Sequence, residues 1–403
     1  MIKLLFPLFF VIGLTLNAQD QPQIATLRLE SEQHPYTPFL LLGEVLKVSF
    51  DDLDADQKEY YYEIRHMDFE WNESDLKPSE YIQGYHRDRI RNFSNSQNTL
   101  QFFTHYRFQL PNQNTKITRT GNYLIKILDT YDQVVAERKI TVYRPKVLVN
   151  TQVFRSRDLK FSLSKQAVQF SIIYPDVVIN QPRKEIKVAL LQNGDWNSAI
   201  LNLLPQYLRS QEIQYRYNAE SSFFAANEFL NFDSKYLRTA TNRIQEVRLG
   251  EQLYETILYP DIDQENTPYT YNPDINGGFK IKINNQNQSS DLNADYTYVS
   301  FELKTPKLDQ EIYVYGAFNN YQMTAYNKMY FDEISNSYKG EYLFKQGFYN
   351  YRYQIKGEKN HKISGDHYQT ENDYQVLVYY QPFGDRYYEI LGFGKANSAE
   401  IRN

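Results

Sequence analysis

The histidines of this sequence are the side chains best suited to bind a metal or to transfer protons, and there are 6 of them. A zinc protease needs two histidines one helical turn apart with a glutamate between them, and no such pair occurs. The nearest approach is "HKISGDH", His361 to His367, which includes Asp366. No third ligand has a suitable spacing, so we predict a solvated turn here and expect no metal site.

A cluster of carboxylates, "DDLDAD" from Asp51 to Asp56, offers the oxygen ligands that calcium prefers. The cluster lacks the glycine and the terminal glutamate of a calcium loop, so a solvated loop between strands is the favoured interpretation and calcium binding is the alternative. With 0 cysteines, thiol nucleophiles and thiolate metal sites are excluded. A nucleophile elbow, a phosphate loop and a dinucleotide fingerprint are also missing. The sequence therefore predicts a protein that is not an enzyme and takes no cofactor.

Alternation of apolar and polar residues with a period of two dominates the chain, which predicts antiparallel strands. Clear examples are Glu44 to Phe50, Tyr123 to Leu128 and Tyr374 to Tyr380. A short helix is considered near Asn197 to Leu208, although Pro205 limits it. The 37 tyrosines suit half-buried strand faces, because the ring packs while the hydroxyl stays in water.

Strands spaced by roughly 8 to 12 residues are typical of immunoglobulin-type sandwiches. We expect an all-β protein with three tandem immunoglobulin-like β-sandwich domains after a cleaved signal peptide. The expected bounds are 1–18 for the signal peptide, 19–145 for the first domain, 146–290 for the second and 291–403 for the third, early-set domain. Pro145 follows the terminal strand of the first domain and cannot continue its ladder. The polar stretch "NNQNQSSDLNAD" is the second linker.

The first 18 residues, "MIKLLFPLFFVIGLTLNA", carry one early cation and an apolar run from Leu4 to Leu16 that ends near Ala18. This pattern predicts a cleavable secretory signal peptide, with an uncleaved membrane anchor as the alternative. No cysteine follows the run, and no later apolar segment is long enough to cross a bilayer as a helix. The net charge of −5 is spread without long runs, which argues against nucleic acid or an anionic membrane as partner.

Six segments with distinctive motifs follow one another along the chain. They are "WNESDLKPSEY" at Trp71 to Tyr81, "NTLQFFTHYRFQLPN" at Asn98 to Asn112, and the stretches Gly121 to Ile127, Tyr315 to Tyr321, Phe344 to Tyr353 and Glu371 to Gly392. In this order they resemble the type 9 secretion system plug protein family of the Bacteroidetes. The resemblance implies a periplasmic protein that binds and occludes the periplasmic opening of a large outer-membrane β-barrel translocon. It implies no catalysis and no direct membrane insertion.

A plug needs a surface that binds its partner. Aromatic and arginine side chains are common interface anchors, because they bury a large area at low entropic cost. The segment "GYHRDRIRNF" places Tyr85, Arg87, Arg89 and Arg91 close together. These four residues are the predicted partner-binding candidates, and an ordinary charged loop is the alternative.

The stretch "VYGAFNNYQ", Val314 to Gln322, looks most like a small-ligand site. It resembles a turn of the early-set immunoglobulin domains found beside glucan-active enzymes, in which an aromatic residue, usually tryptophan, stacks on a sugar. The corresponding residue is Tyr321, and tyrosine stacks more weakly than tryptophan. An early-set scaffold is therefore expected. A periplasmic or surface glycan-binding protein that uses Tyr321 is the alternative function.

Overall fold

Strands dominate the computed structural model, which describes residues 20–285 and 287–401. The expected signal peptide, residues 1–18, lies outside the described residues. Among these described residues, strands account for 46% and helices for 6%, so the prediction of an all-β protein is confirmed. Among the described residues the α-helices are α1 (Pro78–Tyr81), α2 (Pro182–Glu185) and α3 (Ser290–Asn293), and the 3₁₀ helices are Ala317–Asn319, Ala325–Asn327, Lys362–Ser364 and Ser398–Glu400.

The first sandwich comprises residues 24–143. Its strands are β1 (Ile24–Glu30), β2 (Phe39–Leu41), β3 (Leu46–Asp52), β4 (Tyr61–Met67), β5 (Ile82–Gly84), β6 (Arg87–Arg89), β7 (Asn92–Asn95), β8 (Thr104–Leu110), β9 (Thr115–Ile117), β10 (Gly121–Leu128) and β11 (Val134–Tyr143). One sheet has the order β1-β3-β8-β7 and the other the order β2-β11-β10-β4-β6, while β5 pairs with β9. Side chains such as Phe50, Tyr62 and Ile125 fill one core between the two sheets.

The second sandwich begins with seven strands. They are β12 (Leu148–Arg155), β13 (Lys165–Ile173), β14 (Ile186–Gln192), β15 (Asp195–Ile200), β16 (Tyr207–Arg209), β17 (Glu212–Tyr215) and β18 (Ser222–Phe224). One sheet has the order β12-β13-β17-β16, with β18 also paired to β13. The short helix considered near residues 197–208 is wrong, because the backbone there pairs in β15 and β16 on either side of Pro205.

The third sandwich comprises residues 229–365. Its strands are β19 (Leu230–Asp233), β20 (Ile244–Leu249), β21 (Tyr254–Leu258), β22 (Asp261–Ile262), β23 (Phe279–Ile281), β24 (Tyr296–Lys304), β25 (Ile312–Tyr315), β26 (Tyr330–Asp332), β27 (Ser337–Lys345) and β28 (Gly347–Ile355). The sheets have the orders β19-β28-β23, with β25 on β28, and β20-β21-β24-β27-β26, with β22 on β24. Phe232, Phe301 and Tyr351 lie in the core between them.

The last two strands, β29 (Asp373–Tyr380) and β30 (Glu389–Asn397), return to the second sandwich. β14 pairs with β29 along its whole length, and β29 pairs with β30. One core joins side chains from β13 and β14 to side chains from β29 and β30. The expected domain boundary at 290/291 would place β14 and β29 in different domains, although the two strands pair in one sheet. We propose instead that residues 229–365 are a domain inserted between two parts of the second domain.

An apolar cluster joins the first sandwich to the second. Phe69 and Tyr143 of the first pack with Leu191, Tyr379 and Ile390 of the second. The Tyr379 hydroxyl also donates a hydrogen bond of 2.8 Å to a side chain of the first sandwich. Domains move relative to each other by default unless their interface is large and hydrophobic. The apolar contact therefore opposes hinge motion between these two sandwiches.

Candidate functional site

The four predicted partner-binding residues lie at one outer edge of the first sandwich. β6, which carries Arg87 and Arg89, is the last strand of its sheet. Gly84 has a φ of +95°, and a Cβ there would lie only 2.0 Å from the carbonyl oxygen of Asn114, so glycine is required at this turn. Tyr85 follows the turn and is 65% exposed.

Each of the three guanidinium groups binds a carboxylate. The pairs are Arg87 with Asp132, Arg89 with Glu59 at 2.8 Å, and Arg91 with Asp88 at 2.9 Å. The hydrogen bonds from Arg91 lower the pKa of Asp88 to about 2. The edge is therefore close to electrically neutral. Exposed aromatic side chains, rather than a net positive charge, characterise this edge.

Tyr131 is an aromatic side chain at this edge that the sequence reasoning missed. It is 83% exposed in the turn between β10 and β11. Its neighbour Asp132 binds Arg87, which brings the turn to β6. Its exposure could have been expected from the sequence, because the tyrosine lies within the polar turn "DTYDQ". We call Tyr85, Arg87, Arg89, Arg91 and Tyr131 the tyrosine-arginine surface.

Tyr321 lies at the junction of the second and third sandwiches. The residue has a φ of +53° and is half-buried. Its ring packs 5.3 Å from the ring of Tyr315, and its hydroxyl donates to the carbonyl oxygen of Asn276 at 3.4 Å. Its own carbonyl oxygen accepts a hydrogen bond of 2.9 Å from Asn197. The side chain is thus used in packing, whereas stacking on a sugar needs an open ring face.

The carboxylates predicted to lie in a solvated loop are partly buried, which corrects that expectation. β3 continues through Asp51 and Asp52, which are 1% and 0% exposed. Asp52 accepts a hydrogen bond of 2.8 Å from the hydroxyl of Tyr60 and pairs with Lys58 at 3.1 Å. The cause is tertiary: these carboxylates have specific partners that a local sequence pattern does not reveal.

Asp51 is the centre of a buried polar cluster between the first and third sandwiches. The ammonium of Lys345 and the hydroxyl of Tyr296 donate to Asp51 at 2.6 Å and 2.7 Å, and Nδ1 of His105 lies 2.6 Å from its other oxygen. Burial raises the pKa of Asp51, but the charge of Lys345 and the bond to His105 outweigh it and hold that pKa below its usual value. We call Asp51, His105, Tyr296 and Lys345 the Asp51 cluster.

The "HKISGDH" segment is also not the solvated turn that was predicted. His361 is buried, and its Nδ1 lies 3.1 Å from a carboxylate oxygen of Asp366. The same oxygen accepts a hydrogen bond of 2.8 Å from the backbone of Ala226. Across residues 20–285 and 287–401, no group of three or more metal-ligating side chains is placed to hold an ion. Over the same residues, no helix has the length and apolar character to cross a membrane.

Asp274 is a half-buried carboxylate in the third sandwich that accepts backbone hydrogen bonds from Phe229 and Asn276. Burial raises its pKa from the usual 3.8 to about 7, and the nearby charges of Glu228 and Glu371 also raise it. Between these two pH values the folded chain binds a proton that the unfolded chain does not. Its contribution to stability therefore falls as the pH rises through this window, by at most about 1.4 kcal/mol per pH unit.

The variant Asp274→Asn is expected to remove this dependence. The free energy of unfolding in urea is measured for both proteins from pH 4.5 to 8.5, and the value of the variant is subtracted from that of the wild type. That difference should fall with rising pH up to about 7 and stay constant above it. The exposed control Asp309→Asn should give a flat difference. A flat difference for Asp274→Asn as well would contradict the raised pKa.

Residues 24–144, which include the tyrosine-arginine surface, match the family model for the type 9 secretion system plug protein 1st domain. A crystal structure of a hypothetical protein from Parabacteroides merdae ATCC 43184 is similar with a TM-score of 0.90 and 29% identity. The similarity covers 94% of this chain and 98% of that chain. No curated protein matches. The resemblance expected from the sequence is confirmed: residues 24–144 are similar to the first domain of the type 9 secretion system plug protein.

Proposed function

We propose that this protein is a periplasmic, non-catalytic subunit of the type 9 secretion system that binds the outer-membrane translocon barrel and occludes its periplasmic opening. The observation that carries the proposal is the match of residues 24–144 to the first domain of the plug family. A role connected with type 9 secretion follows from that family. Occlusion of the pore and residence in the periplasm are the parts that we propose.

Contacts among the three sandwiches support the proposal, because a protein that occludes a wide pore must hold its shape. The first and second sandwiches share an apolar cluster, and the Asp51 cluster joins the first to the third. The second and third are joined by the Tyr315 hydroxyl, which donates to Asp195 at 2.9 Å, and by Asn276, which donates to Asp373 at 3.0 Å. Buried contacts at each junction oppose relative motion of the sandwiches.

The tyrosine-arginine surface is the proposed contact with the translocon. It lies within the domain that carries the family match, and tyrosine and arginine are the side chains that most often dominate binding energy. Because its arginines are already paired with carboxylates, we expect binding to depend on aromatic contact more than on long-range attraction. A plug must also dissociate, which favours a moderate interface area.

The triple variant Tyr85→Ala/Arg89→Ala/Arg91→Ala tests this surface. These side chains are exposed, so the substitutions should leave the fold intact. We expect co-purification of the tagged chain with the translocon to fall at least about ten-fold. Arg248→Ala is the matched control, because Arg248 is an exposed arginine paired with Glu255 on the third sandwich.

Permeability of the outer membrane to a large hydrophilic antibiotic supplies the second measurement. Deletion of the protein should raise uptake, the triple variant should not restore the barrier, and the control should. If the wild-type chain never co-purifies with the translocon and its deletion leaves uptake unchanged, the plug role is wrong. If the triple variant binds like the wild type, the role stands and the contact lies elsewhere.

A further inference from the structure

A loop with two exposed leucines connects the paired strands β12 and β13 of the second sandwich. Leu159 is 92% exposed and Leu163 is 67% exposed. The turn between them is held by backbone hydrogen bonds such as the one of 2.9 Å from Phe161 to Asp158. Single exposed leucines are common on protein surfaces, but two in one ordered loop form an apolar patch that is available to a partner. We call residues 155–165 the Leu159 loop.

The same loop has an excess of positive charge. It holds four cations, Arg155, Arg157, Lys160 and Lys165, and one carboxylate, Asp158. Among the described residues, no carboxylate forms an ion pair with any of these cations. The arginines of the tyrosine-arginine surface, by contrast, are each neutralised by a carboxylate. The Leu159 loop is therefore suited to a partner that carries negative charge.

Aromatic rings hold two of the cations in place without neutralising them. The ammonium of Lys165 lies 4.2 Å from the ring centre of Phe161 and 4.3 Å from that of Phe224. The guanidinium of Arg155 lies 4.3 Å from the ring centre of Tyr368, and it donates a hydrogen bond of 2.7 Å to a backbone carbonyl oxygen of the loop. A cation over a ring keeps its full charge, so both groups can still attract an anion.

Neighbouring elements leave this excess in place. Two charged groups outside the loop, Lys359 and Asp366, act on Lys165 in opposite senses. The carboxylate of Asp366 also lies 3.1 Å from Nδ1 of His361, which engages one of its oxygens. Glu220 is exposed on the adjacent turn and reduces the excess by one charge. The patch therefore stays positive around its two leucines.

We propose that the Leu159 loop binds the surface of a membrane that contains anionic lipids. Leu159 and Leu163 enter the interface between headgroups and acyl chains, and the surrounding cations bind the headgroups. A lipid surface fits this loop better than a protein partner does. Exposed leucine beside lysine and arginine is typical of interfacial membrane segments, whereas leucine is rare among the residues that dominate binding between proteins, and lysine is depleted at their interfaces.

The contact is peripheral, because it uses the side chains of one loop. It goes beyond the proposed plug function and does not depend on it. The net charge of −5 argues against an anionic membrane as partner of the chain as a whole, but an average over the chain does not describe one loop. Attraction to a charged membrane falls off within a Debye length, about 8 Å at physiological salt, so the charges at the contact decide binding.

Sedimentation of the full chain with lipid vesicles tests the proposal. We expect binding to vesicles of phosphatidylcholine with about one third phosphatidylglycerol, and binding at least about ten-fold weaker to phosphatidylcholine alone. The variants Leu159→Ser/Leu163→Ser and Arg157→Gln/Lys160→Gln should each weaken binding to the anionic vesicles at least about ten-fold. These four side chains are exposed, so the fold should remain intact.

Matched controls separate the loop from general changes in apolarity and charge. Leu249→Ser/Ile334→Ser replaces two aliphatic side chains of the third sandwich that are 65% and 98% exposed. Lys47→Gln/Lys116→Gln replaces two exposed lysines of the first sandwich and changes the net charge as much as the loop variant does. Both controls should bind the anionic vesicles like the wild type.

A single label gives a direct view of insertion, because the chain has 0 cysteines. A polarity-sensitive dye on Leu159→Cys should shift its emission to the blue when anionic vesicles are added, whereas the same dye on Ile334→Cys should not. Equal vesicle binding by the wild type and the leucine variant, or an unshifted dye at position 159, would overturn the proposal. If the wild type binds no vesicles and the loop variants instead lose a co-purifying protein, the loop is a protein contact and the lipid proposal is wrong.

Discussion

Replacement of Asp51 by alanine is expected to lower the free energy of unfolding by about 3 to 5 kcal/mol. The change removes the carboxylate that pairs directly with Lys345 and leaves this ammonium buried without that partner. Lys345 then keeps a hydrogen bond of 2.6 Å to the carbonyl oxygen of Asp291 and a contact with the ring of Phe103, whose centre is 3.9 Å away. Neither compensates a charge that is 1% exposed.

Urea unfolding at pH 7 measures the effect. The control Glu333→Ala breaks an exposed pair with Lys307 and should have little effect on stability, because solvent screens such pairs. The double variant Asp51→Leu/Lys345→Met removes both charges and should recover much of the loss, since apolar replacements of a buried pair are often neutral or better. A loss below about 1 kcal/mol for Asp51→Ala would show that the Asp51 cluster is not a stabilising contact between the sandwiches.

The strands could be predicted because their signal is local, whereas their pairing could not. Alternation predicted a strand at Tyr374 to Tyr380, and β29 forms there. In the sequence, all strands of the third sandwich lie between β29 and its partner β14. Consecutive strands are neighbours in most folds, so a serial division was the natural expectation. The pairing of β14 with β29 depends on the path of the chain, and the local alternation of apolar and polar residues carries no information about that path.

Contacts between side chains likewise could be predicted when the residues are close in the sequence and could not when they are distant. Arg87, Arg89 and Arg91 belong to one short segment, and their closeness along the chain predicts one shared surface. The partners of Asp51 could not be inferred, because Lys345 lies 294 residues away in the sequence. A run of aspartates has the composition of a solvated loop, and only the tertiary structure distinguishes the buried carboxylates from the exposed ones.

Replacement of Phe232 by alanine is expected to destabilise the third sandwich by about 3 to 5 kcal/mol. Phe232 is fully buried, and its ring centre lies 5.2 Å from the ring of Tyr349 and 5.4 Å from that of Phe344. Alanine removes these contacts and leaves a cavity that the surrounding strands of two sheets cannot close. Because residues 229–365 have a core of their own, we expect the loss to be confined to this sandwich.

Thermal unfolding followed by two signals separates the sandwiches when Trp196, which borders the third one, is replaced by phenylalanine in both proteins, because the remaining Trp71 belongs to the first sandwich. In Phe232→Ala, circular dichroism should show an early transition that tryptophan emission does not follow. The exposed control Phe383→Ala should leave both curves unchanged. If tryptophan emission instead shifts together with circular dichroism, the contacts at the Asp51 cluster and at Asp195 are strong enough for the three sandwiches to unfold as one unit. The inserted domain would then not be independently stable, although its sheets would be assigned as before.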